Sequence, residues 1–442
     1  MTTYSTYRPS AAPGRPQTPP SETPEVDLLR WPDVARVPGG PVRAAVAGRL
    51  LRSVARRLGL RVELPGGRLL VPAPEQAPTL RLHRPRDFHR RIGADGLIGF
   101  GESYQAGDWD SPDLVALLTA LAASPGTLVP PRLQGLRRWH AQRPPLAELG
   151  TQANTRRNIQ RHYDLSNDLF ALFLDPTMTY SAALFPPGGD GAAEPARAGW
   201  DDLVPAQHRK IDRLLDLAGV GPGSRVLEIG TGWGELALRA AGRGADVVTL
   251  TLSEEQRRLA ERRIAEAGHA RRVDVRLCDY RTAQGSYDAV VSVEMIEAVG
   301  RAYWPAYFAT LDRVLAPGGR AALQAITMPH ERMLASSDTY TWILKYIFPG
   351  GQIPSVEGLA QAAAGHTGLR LTHRDAFGPH YAQTLRLWRE RFTERAGEVA
   401  ALGFDHVFHR MWELYLAYSE AGFRTGYLDV QHLLFTREER PR

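Results

Sequence analysis

The segment Val226-Leu-Glu-Ile-Gly-Thr-Gly-Trp-Gly-Glu235 decides the fold. Four residues typical of a buried strand lead into three alternating glycines, and a helical pattern begins at Leu236. Glycine tolerates positive φ and lets the backbone approach a ligand closely, and the first turn of the following helix offers free N–H groups. The segment therefore predicts a strand–turn–helix unit that binds a nucleotide-like cofactor on a doubly wound parallel sheet.

The acid and the glycines separate two kinds of cofactor site. The dinucleotide fingerprint G-x-G-x-x-G requires glycine at position 235, where this chain has glutamate. Glu228 instead precedes the first glycine by two residues, and the pattern E-x-G-x-G-x-G resembles motif I of the S-adenosylmethionine (SAM)-dependent methyltransferases. The resemblance implies an α/β, Rossmann-like class I methyltransferase fold with SAM as the cofactor.

Strands and helices alternate on both sides of this segment. We predict strands at 225–229, 246–251, 273–277, 287–293 and 319–326, with helices at 206–218, 234–243, 253–267 and 301–315. This alternation indicates a parallel sheet whose ligands bind beyond the carboxyl ends of the strands. The five loops that follow the strands are therefore expected to face one pocket.

The last third of the chain, residues 328–442, is predicted to be irregular and then helical. Aromatic side chains are dense in this part. They either wall an apolar channel for a long acyl chain or belong to the ordinary core, and the sequence alone leaves both interpretations open.

Composition excludes several classes of protein. The chain has 442 residues and a formal net charge of +6, and all its basic residues are arginine except Lys210 and Lys345. Cys278 is the single cysteine, so a disulfide framework is excluded. Neither a signal peptide nor an apolar run of about 18 residues is present, so no spanning helix is predicted. No zinc-ligand spacing or RNA-binding signature occurs, and neither a metal nor a nucleic acid is predicted; the basic charge suits an anionic membrane surface.

The chain divides into four predicted parts. Residues 1–24 are predicted to be a disordered tail, 25–140 a small α+β domain, 141–155 a linker and 156–442 the methyltransferase domain. In the small domain, Val42, Val46, Leu50, Val54 and Leu58 form a helical stripe beside Arg49, Arg52, Arg56 and Arg57. This helix either lies on anionic lipid or packs on its own domain. Strands are predicted at Arg61–Leu64, Arg68–Val71 and Thr79–His83, and an ordered loop and turn at 96–109.

Seven segments together resemble the cyclopropane fatty acid synthase and mycolic acid cyclopropane synthase family. They are His162–Phe170, Met178–Ser181, Val226–Glu235, Ser292–Gly300, Lys345–Gly351, His380–Leu385 and Tyr418–Phe423. Residues 99–104 are similar to the extra lipid-contacting domain of the members that act on phospholipids. Further stretches, at 323–330, 385–392 and 412–418, resemble the actinobacterial fatty acid methyltransferases that form 10-methylene and then tuberculostearic (10-methylstearic) acid.

The resemblance implies two sets of site residues. The residues implied to contact SAM are Tyr180, Ser181, Gly230, Gly232, Thr251, Leu252, Gln256 and Tyr280. The implied catalytic centre contains Glu297, Tyr381, Gln324 and Ile326, at the place where cyclopropane synthases hold a bicarbonate ion as base. Two positions depart from the cyclopropane pattern, because Ala182 stands where the family has cysteine and Gln324 where it has histidine. The sequence leaves open whether bicarbonate, another small base or a water is held there.

The resemblance also implies what the protein does. We expect SAM-dependent methylation of the double bond of an oleoyl phospholipid, which gives a 10-methylene-stearoyl lipid through a carbocation. Cyclopropanation of the same substrate is the alternative, and a non-catalytic SAM-binding subunit is a third hypothesis. The expected partners are membrane phospholipid, a separate flavin- or NADPH-dependent reductase and, as a further option, a second copy of the chain. The expected location is the cytoplasm, peripheral on the inner face of the cell membrane.

Overall fold

A computed structural model describes residues 25–123, 166–189, 194–337 and 339–437. The predicted tail at 1–24 and the predicted linker at 141–155 lie outside these ranges. The helices are α1 Pro32–Ala35, α2 Pro41–Leu58, α3 Pro85–Asp95, α4 Leu97–Gln105, α5 Leu114–Ala122, α6 Asn167–Phe173, α7 Leu203–Leu217, α8 Glu235–Gly242, α9 Glu254–Glu266, α10 Ile296–Val299, α11 Trp304–Val314, α12 His330–Ser336, α13 Trp342–Tyr346, α14 Val356–His366, α15 Gly378–Glu394, α16 Ala396–Ala401 and α17 His406–Arg424. No helix in these ranges is both long enough and apolar enough to cross a bilayer.

A seven-stranded sheet forms the centre of the larger part. Its strands are β4 Arg225–Ile229, β5 Asp246–Thr251, β6 Val273–Leu277, β7 Tyr287–Val293, β8 Leu315–Thr327, β9 Leu369–Ala376 and β10 Asp429–Arg437. They lie in the order β6-β5-β4-β7-β8-β10-β9, and the first five are parallel. The predicted α/β class and the five predicted parallel strands are confirmed, with β8 starting four residues earlier than expected.

The last two strands correct the prediction that the final third is irregular and then helical. Strand β10 pairs antiparallel with both β8 and β9, so it lies inside the sheet. Strand β9 is an edge strand whose three exposed polar residues, Thr372, His373 and Arg374, are consecutive, so it lacks the alternating pattern that identifies a half-buried strand. Strand β10 is buried over six consecutive residues that include Gln431 and His432, so its sequence shows neither an alternating pattern nor a continuous apolar run.

A second, three-stranded sheet lies in the N-terminal part. Strands β1 Arg61–Glu63 and β2 Thr79–Leu82 are parallel, and β3 Trp109–Asp110 pairs antiparallel with β2. The strand predicted at 68–71 does not form. Gly66 and Gly67 both have positive φ and reverse the chain, and only an isolated bridge between Glu63 and Leu69 remains.

Residues 97–105 form helix α4, where a loop and turn were expected. The glycines in this helix allow other parts of the chain to pack closely against it and do not form turns. A Cβ on Gly99 would lie 2.1 Å from the Arg91 carbonyl oxygen, and a Cβ on Gly101 would lie 2.3 Å from the Trp342 ring. Glycine therefore lets α3 and α13 approach the α4 backbone at distances that any side chain would prevent.

Helix α4 is also tied to α13 and α17 by polar contacts. The Glu102 carboxylate accepts from Lys345 Nζ at 2.6 Å and from the Tyr346 hydroxyl at 2.8 Å. Trp342 Nε1 donates to Gln105 Oε1 at 2.8 Å, and the Tyr104 hydroxyl donates to Glu413 at 2.8 Å. Residues 99–105 are mostly buried in this contact, so they bind protein rather than lipid.

Helix α2 presents a mixed face to solvent. Its stripe advances by four residues per step and therefore drifts around the helix by roughly 40° each time. As a result Val42 and Val46 are exposed, whereas Val54 and Leu58 are partly buried against the core. Only the C-terminal end of the stripe therefore packs against the core of the protein.

We predict that Gly101→Ala destabilises the protein by about 1–3 kcal/mol, because the new methyl group must displace the buried Trp342 ring. Chemical denaturation followed by tryptophan fluorescence measures the effect. Gly397→Ala is the matched control, since Gly397 also lies in a helix and a Cβ there would meet nothing within 4 Å. The control should be neutral or slightly stabilising. Equal stability of the two variants would contradict the packing argument.

Candidate functional site

The glycine turn after β4 lies open on one side. Gly230, Gly232 and Gly234 have φ values of +99°, +52° and +92°, a region that favours glycine. A Cβ on Gly230 would collide with the Met295 side chain at 2.5 Å, whereas a Cβ on Gly232 would meet nothing within 4 Å. The turn is therefore packed tightly at Gly230 and leaves space beside Gly232. This space, at the N-terminus of α8, fits the predicted cofactor.

The neighbouring loops place the other predicted cofactor residues on the same edge of the sheet. Thr251 ends β5, and its hydroxyl donates to Gln256 Oε1 at 3.0 Å, which orients the buried Gln256 amide. Leu252 follows directly. Tyr280, after β6, is buried and contacts Tyr307 edge-on at 5.2 Å. The structure thus brings Gly230, Gly232, Thr251, Leu252, Gln256 and Tyr280 to the carboxyl ends of three adjacent strands.

The segment that contains Tyr180 and Ser181 lies beside the turn. Arg263 joins the two, because its Nη1 donates to the carbonyl of Thr177 at 3.0 Å and to that of Trp233 at 2.6 Å. The Tyr180 hydroxyl shares a hydrogen bond of 2.7 Å with the Tyr415 hydroxyl.

A buried lysine that sequence reasoning missed lies under this segment. Lys210 Nζ donates to Ser181 Oγ at 2.6 Å, and the side chain has no exposed surface. Burial lowers the pKa of Lys210 to about 8 and raises the pKa of the nearby Glu228 to about 8. The signal was available, since Lys210 is one of two lysines in an arginine-rich chain.

Three donors converge on a carboxylate that sequence reasoning also missed, Glu294. Its Oε1 accepts from the Ala182 amide at 2.9 Å and from Gln324 Nε2 at 2.8 Å, and its Oε2 accepts from the Tyr381 hydroxyl at 2.7 Å. Glu294 adopts φ +50°, which is uncommon for a residue other than glycine. Burial raises the pKa of Glu294, and these hydrogen bonds oppose the rise.

The surroundings of Gln324 and Tyr381 explain why both side chains donate to Glu294. His432 Nε2 lies 3.0 Å from Gln324 Oε1, and burial lowers the pKa of His432 to about 3. A neutral His432 that donates from Nε2 takes the amide oxygen and leaves the Gln324 NH₂ group for Glu294. Burial and the charge of Glu294 raise the pKa of Tyr381, so the phenol remains a donor.

Glu297 lies three residues further along and completes the cluster. Its Oε1 accepts from the Ile326 amide at 2.5 Å, and its Oε2 is buried without a hydrogen-bond partner among the described residues. Burial and the charge of Glu294 raise the pKa of Glu297 to about 8. The structure thus brings Glu297, Ile326, Gln324 and Tyr381 together. The sequence did contain a sign of Glu294, because Glu294 and Glu297 lie three residues apart directly after the buried strand β7.

The aromatic residues of the last third pack beside this cluster. Tyr381 contacts Phe423 at 4.6 Å between ring centroids, and Tyr180 contacts Trp388 at 5.3 Å. Trp388 and Trp412 are almost fully buried. These rings belong to a core cluster that also contains N-terminal residues such as Trp109. The acyl channel among them stays a prediction.

The chain is similar to known proteins over most of its length. Residues 151–433 match the family model described as mycolic acid cyclopropane synthetase. The tuberculostearic acid methyltransferase UfaA1 of Mycobacterium tuberculosis is 56% identical over 426 residues, which cover 95% of this chain and 99% of that protein. The cyclopropane-fatty-acyl-phospholipid synthase of Escherichia coli is 33% identical over 360 residues, 81% of this chain and 87% of that protein.

Two solved structures share the fold of the larger part. The cyclopropane synthase MmaA2 of Mycobacterium tuberculosis has a TM-score of 0.56 and 34% identity. The mycolic acid cyclopropane synthase CmaA1, complexed with SAH and CTAB, has a TM-score of 0.56 and 33% identity. Each match covers 63% of this chain and 97% of the other. These matches confirm the predicted fold class.

We predict that Glu297→Gln changes how stability depends on pH. The pKa of this carboxyl is about 8 in the folded chain and 4.5 as its ordinary value, so the folded state binds more protons between these limits. The wild-type free energy of unfolding should therefore fall as the pH rises from 5 to 8, relative to the variant, by on the order of a few kcal/mol. Denaturation at both pH values measures this difference. Glu357→Gln, at an exposed helix position, is the control, and parallel pH profiles for wild type and Glu297→Gln would contradict the prediction.

Proposed function

The chain belongs to the mycolic acid cyclopropane synthetase family, and we propose that it transfers the methyl group of SAM to the double bond of an oleoyl phospholipid. The proposed product is a 10-methylene-stearoyl lipid, the precursor of tuberculostearic acid. SAM dependence and methyltransferase activity follow from the family and from UfaA1, the 56% identical relative that carries this activity in its name. The single observation that supports the product is the Glu294 carboxylate, which accepts hydrogen bonds from the Ala182 amide, Gln324 and Tyr381.

The glycine turn and its neighbours would hold the cofactor. Gly230 and Gly232 provide close backbone approach, Thr251 and Gln256 provide polar groups, and Tyr280 provides a ring face. Bound there, SAM supplies an electrophilic methyl group on a sulfonium. Arg263 holds the segment before Tyr180 and Ser181 against the turn, where this segment would help to exclude water from the carbocation.

Glu294 is proposed as the base that removes the final proton. The family resemblance implies that cyclopropane synthases hold bicarbonate at this place. In this chain the Ala182 amide, Gln324 and Tyr381 all donate to Glu294 instead, so a side-chain carboxylate occupies the position of the anion. The raised pKa of Glu294 strengthens it as a base. Bicarbonate is therefore not required in this proposal.

The identity of the base also explains the choice of product. Methyl transfer to the alkene leaves a cation on the neighbouring carbon. Immediate loss of a methyl proton would close a cyclopropane ring. If a hydride first moves from the methylated carbon, the cation moves there, and loss of a methyl proton gives the methylene branch. A carboxylate tethered to the backbone and held by three donors has less freedom to reach the methyl early than a free anion has. The Tyr381 ring stabilises the positive charge through its π face, and the cation in turn favours the ionised form of the Glu297 carboxyl beside it.

The cellular setting is part of the same proposal. The phospholipid substrate places the enzyme at the inner face of the cell membrane as a peripheral, cytoplasmic protein. Saturation of the methylene branch is assigned to a separate flavin- or NADPH-dependent reductase, since the described residues contain no second glycine-rich strand–turn–helix unit. Assembly with a second copy of the chain and the domain boundaries given above stay predictions.

Expression in a host that contains oleoyl lipids should produce lipids with olefinic exomethylene protons in the NMR spectrum. The expected reason is that the fixed Glu294 carboxylate acts after the hydride shift. Mass spectrometry cannot serve alone, because both products add CH₂. Upfield cyclopropane ring protons without exomethylene protons would contradict the proposed product and support the cyclopropane synthase alternative.

Glu294→Gly should lower the turnover number by at least a hundredfold in bicarbonate-free buffer, and added bicarbonate should restore part of it. Glycine accepts the φ of +50° without strain and opens the space between Ala182, Gln324 and Tyr381 for a small anion. Glu294→Gln is the matched variant, since its amide fills the same space and should not be rescued. SAM binding, measured by calorimetry, should be unchanged in both variants. Full activity of Glu294→Gly without bicarbonate would exclude Glu294 as the base.

A further inference from the structure

We propose that the outer face of helix α2, Pro41–Leu58, binds the anionic headgroups of a lipid bilayer. The proposal rests on the proposed function, because a phospholipid substrate must be taken from such a surface. It assigns the contact to one helix face, defined by Val42, Val46, Arg49, Arg52, Arg56 and Arg57, which we call the α2 face. Residues 99–104, which carry the resemblance to a lipid-contacting domain, are themselves mostly buried, so the contact is assigned to another part of that domain.

The charge of α2 is entirely of one sign. The helix contains five arginines and no acidic residue. Arg49, Arg52, Arg56 and Arg57 are exposed, and together with Ser53 they line a surface groove. None of the four forms an ion pair within the described ranges, whereas Arg257 and Arg258 on the surface helix α9 are both paired with glutamates. Four unpaired guanidinium groups on one face suit a phosphate-bearing surface.

The N-terminal half of the same face is apolar. The exposed fractions are 76% for Val42 and 45% for Val46, large values for β-branched apolar side chains. Leu97, at the start of α4, is 62% exposed. It follows Gly93 by four residues, and a Cβ on Gly93 would lie 2.7 Å from the Arg43 carbonyl, so the α3–α4 junction adjoins the first turns of α2. A bilayer would bury these apolar groups in its interfacial region.

The side of helix α2 opposite the α2 face packs against the protein, so the α2 face points towards solvent. Ala47 and Ala55 are buried, and Leu51, Val54 and Leu58 pack against the core. On α3, Gly93 lies so close to the Arg43 backbone that a Cβ there would be 2.7 Å from its carbonyl, so α2 also packs tightly against α3. The α2 face is therefore held outward by the fold and does not need to rearrange before it binds.

The combination of groups favours lipid over the other anionic partner, a nucleic acid. Nucleic acid would account for the arginines but leaves Val42 and Val46 in water. Arginine side chains that reach headgroup phosphates beside valines that enter the interfacial region account for both halves of the face. The helix has the length of about five turns, so the two halves contact the same bilayer.

The test is sedimentation of the full-length protein with vesicles of phosphatidylcholine, with and without phosphatidylglycerol. The wild-type protein should bind the anionic vesicles, and added salt should weaken the binding. Arg49→Ala/Arg56→Ala should reduce the partition coefficient by roughly tenfold or more. Arg262→Ala/Arg271→Ala is the matched control, because both of these arginines are exposed and it removes the same charge elsewhere; it should bind like the wild type. Val42→Ser/Val46→Ser should also weaken binding, with the charge unchanged.

The outcomes separate this proposal from the proposed function. Equal losses in the two double-arginine variants, or a wild type that prefers duplex DNA and ignores anionic vesicles, would overturn the α2 face as a lipid contact. Methylation of a detergent-dispersed substrate should be the same for Arg49→Ala/Arg56→Ala and the wild type, since the chemistry lies elsewhere. If the wild type binds anionic vesicles through this face but forms no methylated lipid, the surface stands and the proposed function fails.

Discussion

The buried carboxylate of Glu294 is the constraint around which the site is arranged. A carboxylate can be ionised away from water only when donors replace its hydration. Here the donors come from three separate parts of the chain: the loop before the methyltransferase sheet at Ala182, strand β8 at Gln324 and helix α15 at Tyr381. The requirement to satisfy one charge therefore fixes the relative positions of a loop, a strand and a helix. Loss of any one donor would leave the Glu294 carboxylate with too few hydrogen bonds to replace its hydration.

The same requirement extends to the charges around Glu294. Lys210 has no exposed surface and offsets part of the negative charge of Glu294 and Glu228 from below. Glu297 has no such cation, and its charge is opposed by Glu294, which is why the pKa of Glu297 rises to about 8. Within a few residues the fold thus holds one carboxylate supported by three donors and another whose protonated form is favoured. Burial raises the pKa of both carboxyl groups, and perturbed pKa values of this kind are typical of catalytic sites.

The sequence was informative where a local pattern and the fold agree. The five parallel strands and the glycine turn could be predicted because alternating strands and helices leave few topologies. Strands β9 and β10 could not, because consecutive exposed polar residues in β9 and buried polar residues in β10 leave no periodic signal. Helix α4 was missed because its glycines suggested turns, whereas they allow close approach of Arg91 and Trp342. Glu294 was missed because its role depends on Ala182, Gln324 and Tyr381, whose convergence no linear pattern encodes.

The N-terminal part is connected to the carboxylate cluster through α13. Glu102 of α4 holds Lys345 and Tyr346 of α13, and burial of this contact makes its loss costly. The chain then turns at Gly350, and the Gln352 amide donates to the Glu297 carbonyl at 2.8 Å. A continuous set of contacts therefore joins helix α4 of the N-terminal part to Glu297, which lies beside the proposed base Glu294. The two lysines of the chain lie at the two ends of this arrangement, Lys345 at the junction and Lys210 under the site. In both places the ammonium group donates to a buried oxygen atom, Ser181 Oγ for Lys210 and Glu102 Oε1 for Lys345.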